Sequence, residues 1–521
     1  MSDMEDNFSI SSKRSYMPAL LSTGVRTSAK RTPSKIALAM DEKQFTYDAL
    51  VKRFNKVANA SFHNLNLRKG DHVALFAPNC LEFIEIVSGL SDIGVGVAMI
   101  PPSVTSSEVE HICNDSQSTI LFCHSSVEEV ARGSNLLTVT RIIVIGNDYE
   151  DWINLANSSF PEINLSETDI FSIPYTSGTT GKPKGCLLSH RSRVLAFYTM
   201  GIEFGCYSPD DRALASAPLF HGAGFAFAMA PIFFGGFCEI LPKYEPEKVL
   251  NKINSLDLTN TFFVPTHFHQ MFSIEKKTLD KARPSTLKAI ISNAAPLPQA
   301  TKEKIVDYFG EGLLHETYGS TEGGFVTNLR PKDQLRKQKC VGLPYANVEI
   351  SLRDEDGKEV ENGKVGEVFV KSPLLFNGYW ENLDATNEAL TKKGWCTVGD
   401  LGRYDEEGYL YLVDRKKDII ISGGLNIFPR EIEEVLAKIP GVKECAVIGI
   451  PDEYWGEAVK AVVVMNNNSK INDKEIKDHC VKFLAKYKHP KSFSFTEALP
   501  RNAGGKILKT DLREMNNKGL I

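Results

Sequence analysis

No Cys-x-x-Cys pair occurs in the 521 residues, and the ten cysteines are scattered from Cys80 to Cys480. That spacing lacks the pattern of a zinc site or of a disulfide framework, so reduced thiols in a cytoplasmic protein are expected. His267-x-His269 has no suitably spaced partner and reads as packing or pocket lining, not as a ligand pair. There is no polybasic field either. The formal net charge is −5, which argues against a nucleic-acid partner and leaves any anionic ligand to a few placed cations. The opening residues, Met1 to Arg14, contain no apolar core of the signal-peptide kind. One run, Ala217 to Cys238, lacks Asp, Glu, Lys and Arg, but Pro218, His221, Gly222, Gly224, Pro231, Gly235 and Gly236 interrupt it. Such punctuation suits a buried strand, loop and helix lining a pocket better than a membrane span. Peripheral membrane contact, and a monomer or a homodimer, stay open.

What is present is the balance of a globular protein, 42% hydrophobic and 24% charged, in a chain too long for one ordinary core. Short β-like runs alternate with helical patterns: Val73–Ala77, Glu82–Leu90, Val97–Pro102, a helix with Glu108 and His111, Thr119–Phe122 and Arg141–Ile145. This rhythm predicts layered α/β subdomains with much parallel sheet. From Val341 to Val370 the pattern becomes strand–turn–strand, predicting a β-rich subdomain. After the charged run Asp414–Asp418 comes a domain-sized segment with its own strands and helices. The expected fold class is α/β: a large N-terminal domain, residues 1–416, and a small mobile α+β C-terminal domain, residues 417–521, with the boundary at Lys416–Lys417.

The most informative stretch is Tyr175-Thr176-Ser177-Gly178-Thr179-Thr180-Gly181-Lys182-Pro183-Lys184-Gly185, which follows the apolar strand pattern Ile170–Pro174. Its glycines let backbone approach an anion, its hydroxyls donate, and its lysines supply charge. Two residues separate Gly178 from Gly181 where a P-loop has four, so the loop is not of that type. Taken alone, the stretch reads either as a phosphate cradle or as a polar surface loop.

The run resembles the phosphate-loop signature of the adenylate-forming superfamily, which comprises acyl-CoA synthetases, carrier-protein adenylation domains and firefly-type luciferases. Similarity extends from about Ser34 to Lys509 and recurs in order at separate motifs. It implies ATP, Mg²⁺ and coenzyme A as ligands. Thr176, Ser177, Gly178, Thr179, Thr180, Gly181 and Lys182 are then phosphate contacts. In Tyr318-Gly319-Ser320-Thr321-Glu322 the resemblance puts Tyr318 on adenine, counts Gly319 among the nucleotide-binding residues, and puts Thr321 on phosphate and Glu322 on the metal, a sensible use of a single carboxylate. Asn293, Ala294 and Ala295 match a small-residue turn beside adenine and acyl chain, with Asn293 where glycine is common. Asp400 matches the ribose-binding aspartate, with Val398 where threonine is usual. Arg415 matches a ribose-contacting arginine and Lys417 the hinge. Lys506, in Asn502-Ala503-Gly504-Gly505-Lys506, matches the lysine that bridges substrate carboxylate and α-phosphate. His221 matches a residue beside the acyl pocket. Gly423 and Gly424 resemble the loop that lines a pantetheine tunnel, which tilts the acceptor toward coenzyme A.

The function so implied is an ATP-dependent acid–CoA ligase that forms an acyl-adenylate and then a thioester. Lys506, Thr176 and His221 are its catalytic candidates. The apolar residues Phe225, Phe227, Met229, Phe233 and Phe234 point to a fatty or other apolar acid. Loading of a carrier-protein phosphopantetheine, a ligase for a small polar acid such as a carnitine-like betaine, luciferase-like oxidation and a non-catalytic nucleotide-binding relative are the competing readings.

Overall fold

The structure is a computed structural model that describes residues 17–177, 183–466, 473–501 and 507–521; the side chains of Ser177 and Asp473 are not described. As expected from the alternating pattern, two largely parallel sheets form the bulk of the large domain. One runs, in spatial order, Arg141–Ile145, Ile120–His124, His72–Phe76, Gly96–Ile100, Ile170–Ser177 and Pro183–Gly185. The other is nine-stranded and carries Ala289–Ser292, Leu314–Ser320 and Gly324–Leu329 near one edge. Strands such as His72–Phe76 and Gly96–Ile100 are buried along their whole length, which is why they read as continuous apolar runs without alternation.

The helix Gly222–Phe233 lies between these layers, with Phe225, Phe227, Met229 and Phe233 buried. This is the uncharged run noted above, and among the described residues no helix is long and apolar enough to cross a membrane. The β-rich subdomain is a four-stranded antiparallel sheet of Glu349–Arg353, Gly366–Lys371, Asp400–Tyr404 and Leu410–Arg415. The small domain's own sheet begins at Ile420–Ser422 and is dominated by the long hairpin Val442–Asp452 and Gly456–Met465. Its contacts with the rest of the chain are mainly polar. Asp414 Oδ2 accepts the backbone N–H of Arg430 at 2.9 Å, where a carboxylate also meets the positive end of the helix Pro429–Leu436. Lys339 pairs with Glu434, across the same boundary. The linker is itself tied in by Arg513, which pairs with Asp418 at 3.1 Å.

One buried ion pair positions a segment that matters below. Lys302, 1% exposed, pairs with Glu316 on the strand Leu314–Ser320, and Glu316 Oε1 accepts the N–H of Leu297 at 3.0 Å. The pair thus fastens the turn 293–297 to that strand. Removing only the cation strands a carboxylate in the interior. Lys302→Met is expected to lower unfolding stability by about 3–5 kcal/mol, and the double variant with Glu316→Gln to recover much of it. Denaturant titration of the single and double variants checks this, and equal stabilities would contradict it.

Candidate active site

Glu322 is the point where three separated segments converge. It follows the strand Leu314–Ser320 and is 8% exposed. Its Oε1 accepts the Tyr379 hydroxyl at 2.8 Å, the Thr176 hydroxyl at 3.4 Å and, more weakly, the Cys186 thiol at 3.8 Å. Burial and the Glu322 charge push the Cys186 thiol well above its ordinary range, so it stays protonated and donates. No Lys or Arg among the described residues forms an ion pair with Glu322. A buried carboxylate with donors and no counter-cation is a fitting hard-oxygen ligand for a divalent cation.

The segment Phe376–Trp380 braces this arrangement. Phe376 N–H donates to the Glu322 carbonyl at 3.0 Å, and Trp380 N–H donates to Gly185 O at 2.8 Å. The helix Ser106–Asp115 secures the same region, with the Tyr175 hydroxyl on Asp115 at 2.6 Å and His111 Nε2 in hydrogen-bond contact with Pro183 O at 3.0 Å. Both stems of the 178–182 segment are therefore held. Gly178, Thr179, Thr180, Gly181 and Lys182 lie outside the described residues, as does Lys506; the flanks of the latter segment, Arg501 and Ile507, pair as a β-bridge.

A second cluster lies beyond the first. Asp400 and Arg415 face each other across adjacent antiparallel strands. Arg415 Nε lies 3.3 Å from Asp400 Oδ1, and the Tyr318 hydroxyl donates to Asp400 Oδ2 at 2.6 Å. Burial and the adjacent carboxylate hold the Tyr318 phenol protonated. Each Asp400 oxygen keeps a further lone pair for a diol. Gly319 cannot be larger, because a Cβ there would sit 2.1 Å from Gly324 O. In the neighbouring turn the residue with positive φ (77°) is Ala294, not Asn293. Asn293 instead donates through Nδ2 to Thr317 at 2.7 Å, which accounts for an amide where glycine is expected. Near Asp400, the hydroxyl of Thr397, next to Val398, accepts from Gly399 N–H at 3.1 Å.

Between the Glu322 cluster and the start of the helix Gly222–Phe233 is a cavity of about 150 Å³. Thr176, Thr321 and His221 line it with Met99, Pro174 and Phe220. The His221 ring meets solvent through this opening yet is closely surrounded by protein; the resulting desolvation pulls its pKa down to about 4, so it is neutral at pH 7. Lys417 is exposed, on the single turn Lys416–Asp418. Gly423 and Gly424 occupy an exposed hairpin tip at positive φ, with Gly423 under the Trp455 ring, where a Cβ would come within 2.6 Å. In this conformation no hydrogen bond or ion pair among the described residues joins that tip to the cavity.

Sequence reasoning missed Tyr379, Cys186 and the Phe376–Trp380 brace. Leu375-Phe376-Asn377-Gly378-Tyr379-Trp380 was open to notice as an aromatic–glycine cluster, but nothing local indicates which carboxylate its phenol meets.

A phosphate-loop strand, a buried carboxylate, a Tyr–Asp–Arg cluster and a small hairpin-rich domain fit an adenylate-forming enzyme, and the comparisons with known proteins point to the AMP-forming acid–CoA ligases. The chain belongs to the AMP-binding enzyme family: that family's model matches residues 25–380, and the model of the AMP-binding enzyme C-terminal domain matches residues 431–506. It is 35% identical to a long-chain-fatty-acid–CoA ligase of Mycobacterium tuberculosis, over 90% of this chain and 92% of that one. Among solved structures, ATP-bound MatB from Rhodopseudomonas palustris is 30% identical with a TM-score of 0.88, covering 97% of this chain and 100% of that one. The o-succinylbenzoate CoA synthetase of Bacillus subtilis, in complex with its acyl-adenylate intermediate, is 28% identical with a TM-score of 0.84, covering 94% of this chain and 97% of that one.

Tyr379→Phe removes the shortest donor to a buried carboxylate, an interaction of about 1.5–3 kcal/mol. It is expected to weaken ATP binding in the presence of Mg²⁺ about tenfold or more, with little change in fold. Calorimetric titration checks this, and unchanged affinity would mean that Thr176 and Cys186 suffice to hold Glu322.

Proposed function

We propose that this chain activates a carboxylic acid whose body is apolar near the reacting carboxyl group, and joins it to coenzyme A through an acyl-adenylate. The observation that carries the reading is the cavity itself: Thr176 from one sheet, Thr321 from the other and His221 at the helix entry share one space with apolar walls. Three motifs far apart in sequence border one space, which supports a site shared by an acid and a nucleotide phosphate. The relatives' own substrates, a long-chain fatty acid in one and succinylbenzoate in another, support an acid with an apolar or aryl body.

Under this reading Thr176, Thr321 and the 177–182 segment bind the phosphates, Asp400 and Arg415 take the ribose, and Tyr318 with the 293–295 turn borders adenine. Glu322 would hold Mg²⁺, which neutralises phosphate charge when bound. The acid's carboxylate attacks the α-phosphorus and pyrophosphate leaves; the chain's contribution is positioning and charge neutralisation. Neutral His221 borders the acyl group and adds no charge of its own. Lys506 bridges carboxylate and α-phosphate in this step. The small domain, residues 417–521, then turns about Lys417 and brings the Gly423–Gly424 tip to the cleft, where the thiol of coenzyme A displaces AMP. The polar contacts at Asp414–Arg430 and Lys339–Glu434 support such a turn, because breaking them exposes little apolar surface.

Pyrophosphate release over a panel of acids, with and without coenzyme A, tests the reading; no release with any acid would overturn it. Lys506→Ala is expected to slow adenylation by about 10²-fold or more while sparing thioester formation from supplied acyl-AMP. Equal loss in both half-reactions would refute that division. Lys417→Pro should do the reverse, and full thioester formation in that variant would count against the hinge.

A further inference from the structure

The helix His190–Phe204 carries an arginine, Arg193, that nothing among the described residues neutralises. Arg193 Nε is fully buried without a hydrogen-bond partner, and no ion pair or hydrogen bond to the rest of its guanidinium occurs among the described residues. Its nearest aromatic face, Phe171, is 6.0 Å away, too distant to replace a counter-ion. Desolvation alone pulls its pKa down, to about 10, so it is still charged at pH 7. Residue exposure is intermediate, while the guanidinium is closely surrounded by protein.

The Nη2 atom of Arg193 lies beside Gly222. A Cβ built there would lie 3.5 Å from Arg193 Nη2, and Gly222 is also part of the cavity wall. Gly222 begins the helix Gly222–Phe233, whose N-terminus has no side-chain cap and no acidic residue in its first turn. The uncapped first turn, with the positive end of the helix dipole, thus lies beside a guanidinium that has no partner among the described residues. Both raise the local potential, and a protein that keeps them adjacent retains repulsion that only an anion relieves.

We propose that Arg193 and the N-terminus of the helix Gly222–Phe233 form an anion subsite at the Gly222 wall of the cavity, which takes the distal carboxylate of a dicarboxylic acid. The inference rests on the cavity being the acyl site. It disfavours a cationic tail such as a betaine's, which the guanidinium would repel.

The test compares adipate and glutarate with their monomethyl esters, in ATP–pyrophosphate exchange with wild type, Arg193→Leu and Arg193→Lys. Wild type should favour the diacids by about tenfold or more in kcat/KM, as loss of a charge-assisted pair predicts. Arg193→Leu should abolish the preference while leaving ester turnover within about twofold, and its melting temperature should equal or exceed that of wild type, since an unpaired buried charge is gone. Arg193→Lys should keep part of the preference. Equal use of diacid and ester by wild type, or equal loss of both in Arg193→Leu, overturns the proposal while the ligase reading stands. Inorganic phosphate that raises ester turnover in an Arg193-dependent way shows a free-anion site and overturns the substrate assignment. Calorimetric titration of adipate without ATP separates the remaining case. Arg193-dependent binding with no exchange for any acid keeps the subsite and overturns the ligase reading, and neither binding nor exchange overturns both.

Discussion

The cleft is organised around a buried carboxylate, Glu322, that has donors but no cation among the described residues. An ionised group at the Glu322 position is costly unless hydrogen bonds surround it. The chain supplies them from Thr176, Cys186 and Tyr379, residues of three different segments. Satisfying one side chain therefore brings the phosphate-loop strand, the nine-stranded sheet and the Phe376–Trp380 segment into register. The placement of Thr321 and the cavity follows from that convergence.

The Tyr318–Asp400–Arg415 cluster applies the same logic to the β-rich subdomain. Asp400 and Arg415 are fixed opposite one another by antiparallel register, and Tyr318 reaches them from a different sheet. The two acidic groups of the cleft are consequently held by side chains from outside their own strands. Removing either hydroxyl leaves the rings of Tyr318 and Tyr379 packed on the main apolar cluster while loosening a polar junction, and so acts on the site more than on the core.

Much of this was legible in the sequence. Buried parallel strands announce themselves as apolar runs, and Thr176, Tyr318, Thr321, Glu322, Asp400 and Arg415 lie in motifs whose order is informative. Pairings across long sequence separations were not legible. Tyr379 is an ordinary aromatic until the chain path places it 2.8 Å from Glu322 Oε1. Arg193 sits in a helical stretch next to Arg191 and reads as surface charge; only packing reveals that its Nε is buried without a partner. Asn293 shows the opposite limit. The sequence flagged an unusual residue in the turn, but the left-handed backbone conformation belongs to Ala294, a distinction that depends on φ and not on composition.

The seam between the two domains is held by charge more than by apolar contact: a carboxylate on a helix N-terminus and the Lys339–Glu434 pair, with Lys339 exposed. Such contacts are screened over about 8 Å at physiological ionic strength, whereas the apolar cores on either side are indifferent to dissolved ions. Electrolyte concentration thus acts on the contacts between the domains and leaves each domain's interior alone. Added salt loosens the seam without softening the parts it joins.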